Sequence, residues 1–94
     1  MALKIEWGAA KAALNLKDHG VSFDDATLVF YDYGRVETYD GREDYGEDRW
    51  VTVGFTGARL LSVAYTIRNE ETIRLISARK ADANEQRRYR QANT

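Results

Sequence analysis

Three consecutive β-like runs, residues 50–55, 60–68 and 72–78, limit the possible folds of this chain more than any other feature. Each is rich in β-branched or aromatic residues and the gaps between them are short and polar, which predicts an antiparallel meander. A shorter piece at 36–39 brings the sheet to about four strands, and residues 3–6 could add a short one. Ahead of the sheet two helices are predicted. Residues 8–18 are alanine- and leucine-rich, with Trp7, Ala10 and Leu14 at helical spacing and Gly20 where a left-handed cap would end the helix. Ser22 with Asp25 imitates a capping box, Val21 can staple onto Ala26, and a second helix over 23–30 would bury Phe23, Ala26, Thr27 and Phe30. Asp82 with Glu85 starts a last helix over 83–92 whose thin apolar face, Ala83 and Tyr89, leaves it short of contacts. The acidic stretch 40–48 reads as an exposed loop. The expectation is one α+β domain spanning residues 1–94.

Composition narrows the chemistry. The chain has no cysteine and one histidine, so no disulfide framework or thiolate metal site is available and a zinc centre is disfavoured. No phosphate-binding glycine loop, GxSxG elbow or HExxH pattern occurs. No apolar run approaches the ~20 residues of a membrane span, and Met1-Ala2-Leu3-Lys4 is unlike a signal peptide. A cytoplasmic protein without membrane contact, metal or cofactor is expected.

Charge is unevenly divided. Residues 1–48 hold 5 Lys+Arg against 11 Asp+Glu, whereas residues 49–94 hold 9 against 4, and Lys80 is the only lysine among those nine. Arg68, Arg74 and Arg79 recur in or beside the β-like runs, and the arginine fork matches phosphate oxygens two at a time. Keeping Val63, Tyr65 and Ile67 on one face with Ile73, Leu75 and Ser77 pairs Arg68 with Thr72 and Thr66 with Arg74. The opposite face then collects Ser62, Thr66, Arg68, Thr72 and Arg74. The same logic pairs Phe55 with Leu61 and Val53 with Val63, and brings Trp50 across from Thr66 on that polar face.

Metal-independent RNA cleavage needs a group to take the 2′-hydroxyl proton, a cation to bear the phosphorane charge and a donor to the leaving oxygen. Arg68 and Arg74 can supply the cation, and Trp50 a stacking surface for a base. Each residue also has a structural reading: arginines as cross-strand ion pairs, Trp50 packed beneath a helix, and His19 serving the carbonyls at a helix end. His19 is the only histidine, the residue type suited by its chemistry to acid-base work near neutrality, and is the natural proton carrier.

The order of elements looks like the RelE/ParE-type toxin fold, and the residues go further. Glu6-Trp7-Gly8-Ala9-Ala10-Lys11-Ala12-Ala13-Leu14-Asn15 and His19-Gly20-Val21-Ser22-Phe23-Asp24-Asp25-Ala26 resemble the opening of the BrnT family of type II toxins. Gly46-Glu47-Asp48-Arg49-Trp50 and Ile73-Arg74-Leu75-Ile76-Ser77-Ala78-Arg79-Lys80 resemble its sheet, and Glu85 with Arg87, Arg88 and Tyr89 its last helix. The resemblance implies a ribonuclease toxin that arrests translation, bound by a BrnA-like antitoxin through which operator DNA is contacted. It also implies functional roles for Lys11, His19, Glu47, Arg49, Arg68, Arg74 and Arg79. Together with the residue-level reading this gives His19, Arg68, Arg74 and Arg79 as catalytic, Lys11, Arg49, Trp50 and Thr66 as RNA-binding, and Glu47 as supporting. Two positions depart from the family pattern: Gly8 stands where Asp usually caps the first helix, and Asp18 where Lys commonly precedes the histidine. The rival readings are a catalytically inactive member that only binds an antitoxin, and a gyrase inhibitor of the same broad fold. Direct DNA binding by the last helix is a weaker rival, since no helix-turn-helix precedes Arg87, Arg88 and Arg90.

Overall fold

A computed structural model describes residues 3–42 and 46–94. The elements are β1 (Lys4–Glu6), α1 (Ala9–His19), α2 (Phe23–Thr27) continuing as a 3-10 turn (Leu28–Tyr31), β2 (Val36–Asp40), β3 (Arg49–Phe55), β4 (Leu60–Arg68), β5 (Thr72–Lys80) and α3 (Ala83–Ala92). They build a five-stranded sheet in the order β1-β5-β4-β3-β2, antiparallel except that β1 runs parallel to β5. The class is the expected α+β, with a parallel edge strand added to the meander. Residues 43–45 of the acidic stretch lie outside the described residues. Among the described residues no helix is long and apolar enough to cross a membrane.

Local signals act as the sequence suggests. Gly20 adopts the left-handed conformation (φ 67°) and its N–H closes on the Leu16 carbonyl, ending α1. Ser22 Oγ accepts from the Asp25 N–H at 3.1 Å, and Asp82 with Glu85 forms both halves of a capping box. The second helix tightens into 3-10 geometry where Val29 and Phe30 turn into the core. Val29 fits because its neighbour is glycine: a β-carbon at Gly54 would come within 2.8 Å of the Val29 side chain. Phe30 meets Tyr65 edge-on at 5.1 Å.

One face of the sheet carries this core. Leu61, Val63, Tyr65, Leu75 and Ala78 pack against Val21, Phe23, Ala26, Val29 and Phe30, with Trp7, Ala12 and Trp50 at the margin. On α1 the apolar spacing misleads: Ala10 is exposed and Leu14 is 58% exposed, while Asn15 is buried. Asn15 Oδ1 accepts from the Ala78 N–H at 2.9 Å, and its Nδ2 donates to the Ala78 and Val21 carbonyls at 2.8 and 2.9 Å. Past Arg74, where β1 stops pairing, this amide satisfies the edge of β5 as a strand would.

The register departs from expectation in two places. Arg68–Thr72 and Thr66–Arg74 pair as predicted, but beyond Tyr65–Leu75 the pairing resumes at Ala64–Ser77. Ile76 is therefore an extra residue, a β-bulge. It turns Ser77 off the core face, where it was expected, and puts Ala78 there instead. Between β3 and β4 the pairs are Phe55–Leu60, Val53–Ser62 and Trp50–Tyr65, one residue from those predicted. The hairpin closes tightly because Thr56 bonds to Arg59 and Gly57 takes φ 98°. A one-residue slip exchanges faces. Trp50 thus joins the core side, edge-on to Tyr39 at 5.0 Å, and does not face Thr66. The second face is not wholly solvated: α3 covers part of it and buries Val53, while Thr52 and Gly54 are buried on the core side, so this strand is buried on both faces there.

Candidate active site

The site is built on the sheet face opposite α1 and α2. The register aligns Val36, Val53, Ser62 and Arg79 in one cross-strand row and Thr38, Val51, Ala64 and Ser77 in the next. All eight line a groove of about 390 Å³, walled by Glu85 and Arg88 of α3 and by Asp40 and Arg42. The bulge at Ile76 makes this possible. Arg74 and Arg79 are five positions apart, so regular alternation would send them to opposite faces, and the extra residue returns both to one.

α3 is held by polar contacts in place of the apolar face sought in its sequence. Glu85 is 6% exposed; its two carboxylate oxygens accept from Arg79 Nη1 and Nη2 at 2.8 and 3.2 Å, from Ser62 Oγ at 2.9 Å and from the Asp82 N–H at 2.9 Å. Burial pushes the Glu85 carboxyl up, but the bonds from Arg79, Asp82 and Ser62 outweigh it and hold the group below its ordinary value. It is an anion at neutral pH. Further along, the Tyr89 hydroxyl donates to Asp32 at 2.7 Å, which pushes Tyr89 up to about 12. Asp32 also accepts from the Phe55 and Gly34 N–H groups, and these bonds hold it below its ordinary value against the opposing effect of burial. Asn93 closes the helix end by donating to the Gly34 carbonyl at 2.8 Å.

This bracing leaves Arg79 aimed but open. Its side chain is 45% exposed while that of Glu85 is 8% exposed, so the fork is fixed on one side and available on the other. Arg88, one turn along from Glu85, lines the groove, and its side chain makes no hydrogen bond or ion pair with a described residue. Arg42 is paired with Asp40 at 2.9 Å. A second, more open hollow next to the groove is lined by Arg42, Arg79, Arg87 and Arg88.

The other predicted residues divide by face. Arg68, Arg74, Thr66 and Arg49 share the face of Arg79 but lie beyond the groove lining. Arg74 is ion-paired with Glu6 at 2.5 Å, Arg49 with Glu47 at 3.3 Å, and Thr66 is buried with its hydroxyl donating to the Asp48 carbonyl. Lys11 and His19 are exposed on α1, which packs against the covered face, and neither bonds to any of these arginines. Trp50 is on the covered face too. Sequence reasoning put Ser62 on this face, put Ser77 on the other, did not single out Arg88 for the site, and saw in Glu85 mainly a cap. The spacing of Arg88 from Glu85 was a usable signal, because residues three apart share a helix face. Among the described residues no cluster of acidic, histidine or cysteine side chains is arranged to hold a metal ion.

Comparison with known proteins extends this picture. Residues 7–85 match the family model for the ribonuclease toxin BrnT of type II toxin-antitoxin systems. Among solved structures the chain is similar to the 1.1 Å crystal structure of the Brucella abortus ribonuclease toxin BrnT. That match has a TM-score of 0.63 and 23% identity over 86% of this chain and 99% of the other, and it supports the fold. No curated protein sequence matches significantly.

Proposed function

The chain belongs to the BrnT family of ribonuclease toxins of type II toxin-antitoxin systems, and from that premise we propose that it cuts RNA on the open face of its sheet with Arg79 at the centre. The observation that carries this reading is the braced fork: Arg79 is aimed by buried Glu85 into a groove sized for a small ligand. A guanidinium so held bears the charge that grows on the phosphorane as the 2′-oxygen, its proton passing to water, attacks phosphorus and the bond to the 5′-oxygen breaks, that oxygen leaving with a proton from water. Fixed by Glu85, it needs no reorganisation as that charge develops. The cation is then supplied by the protein, so cleavage proceeds without a metal ion. Glu85 is a positioning residue, ionised and occupied by Arg79, Ser62 and the Asp82 N–H. Arg88 at the rim, and Arg74 and Arg68 farther along the same face, contact flanking phosphates.

Family membership implies an antitoxin partner. In this reading the partner is BrnA-like, forms a hetero-oligomer with the toxin, contacts operator DNA itself, and relieves a translational arrest caused by RNA cutting. The test is incubation of purified chain with total RNA in excess EDTA, beside a folded Arg79→Ala variant. Cleavage by the native chain is expected in EDTA, with a loss of about 100-fold or more in the variant. Cleavage that EDTA abolishes, or that survives in Arg79→Ala, overturns the proposal.

A further inference from the structure

We propose that the groove beside Arg79 seats one unpaired nucleobase, so that the toxin acts on single-stranded RNA and senses the nucleotide next to the cut. The inference deepens the cleavage reading above and rests on it. Shape is the first indication. Two adjacent rows of short side chains on neighbouring strands, spaced ~4.8 Å between strands and ~7 Å along them, form a flat shelf on the scale of an aromatic ring system. At about 390 Å³ the groove is at the small end of sites that take a single small molecule.

Chemistry points the same way. The exposed floor is largely aliphatic, formed by Val36, Val51 and Ala64 beside Thr38, while Ser62, Ser77 and Arg79 make its polar end. A phosphate alone has no use for such a floor, whereas a base presents apolar faces and polar edges together. Charge limits what else could sit there. The lining holds Arg42, Arg79 and Arg88 against Asp40 and Glu85, a net of one positive charge, and both carboxylates already face arginines. That suits one phosphodiester at the rim with its base inside. A duplex cannot present a base this way, because paired bases stay stacked and their edges stay within the grooves. Ala64 controls the depth: it is half-buried on the groove side, outside the core, and its small side chain keeps the middle of the shelf low.

The full chain, labelled at valine and alanine methyls, is titrated with adenosine 3′-monophosphate and uridine 3′-monophosphate, and in parallel with ribose 5-phosphate and inorganic phosphate. The nucleotides are expected to shift the methyls of Val36, Val51 and Ala64, and the base-free compounds to leave them in place. Ala64→Leu should weaken nucleotide binding at least about tenfold while phosphate still perturbs Arg79. Methyls that respond equally to phosphate, or to nothing, overturn the seat, as does nucleotide binding unchanged in Ala64→Leu. RNA cleavage in EDTA is read on the same samples: loss of cutting with nucleotide binding intact removes the ribonuclease reading and leaves the seat, and the reverse pattern removes the seat alone.

Discussion

On the covered face of the sheet Leu61, Val63, Tyr65, Leu75 and Ala78 meet the N-terminal helices through apolar contact, and the only buried polar residue of α1, Asn15, serves backbone groups. On the open face α3 is attached through Glu85, Tyr89 and Asn93, each making at least one hydrogen bond to a neighbouring element. Apolar burial is indifferent to small shifts of angle, so the covered face supplies cohesion. Charge-assisted bonds are directional, so the open face supplies aim. The separation lets this small chain keep an open arginine without weakening its core.

Substitutions on the two faces should therefore fail differently. Leu75→Ala, at a fully packed position, is expected to cost about 2–5 kcal/mol in denaturant unfolding. Arg79→Ala should lose cleavage by about 100-fold or more. It should cost no more than about 3 kcal/mol of stability, the scale of leaving buried Glu85 without its main partner. A larger loss of stability in Arg79→Ala would mean that the open face also supports the core.

Acid should separate the faces next. Glu85 and Asp32 are held below their ordinary values of 4.5 and 3.8, so they bind fewer protons folded than unfolded. Their contribution is complete above those ordinary values and is lost as pH falls through the lowered folded ones. Amide-exchange protection in α3 should fall below about pH 4.5, before protection in β4 does. Simultaneous loss in both elements would contradict the division.

Smaller effects sharpen it. Glu70, in the β4–β5 turn, has φ 67°, and Glu70→Gly should stabilise the chain by about 1 kcal/mol in thermal or denaturant unfolding without altering cleavage. His19→Ala should change cleavage by less than about threefold, since the residue is carried on the helix of the covered side. A collapse of activity there would make the covered side part of the chemistry.

Much of the fold was legible because it depends on local signals. The runs at 60–68 and 83–92, the cap at Ser22, the capping box of Asp82 with Glu85 and the glycine end of α1 each act within a few residues. The arginines of the later half were legible as a group. Their assembly into a site was not, and His19, Lys11 and Trp50 could not be assigned to a face from spacing alone. The β3–β4 register was misread because Val53 has a second cover, α3, which alternation cannot reveal.

The amino-acid sequence by itself determined the elements, their order and the arginine-rich chemistry of the later strands, because backbone conformation and side-chain type are properties of a few adjacent residues. Only the tertiary structure decided which arginines share a groove. That choice depends on one extra residue at Ile76, on Asn15 satisfying the edge of β5 at Ala78, and on a carboxylate from α3 reaching Arg79. Each of these joins groups whose meeting depends on how the sheet and helices pack, which no local spacing encodes.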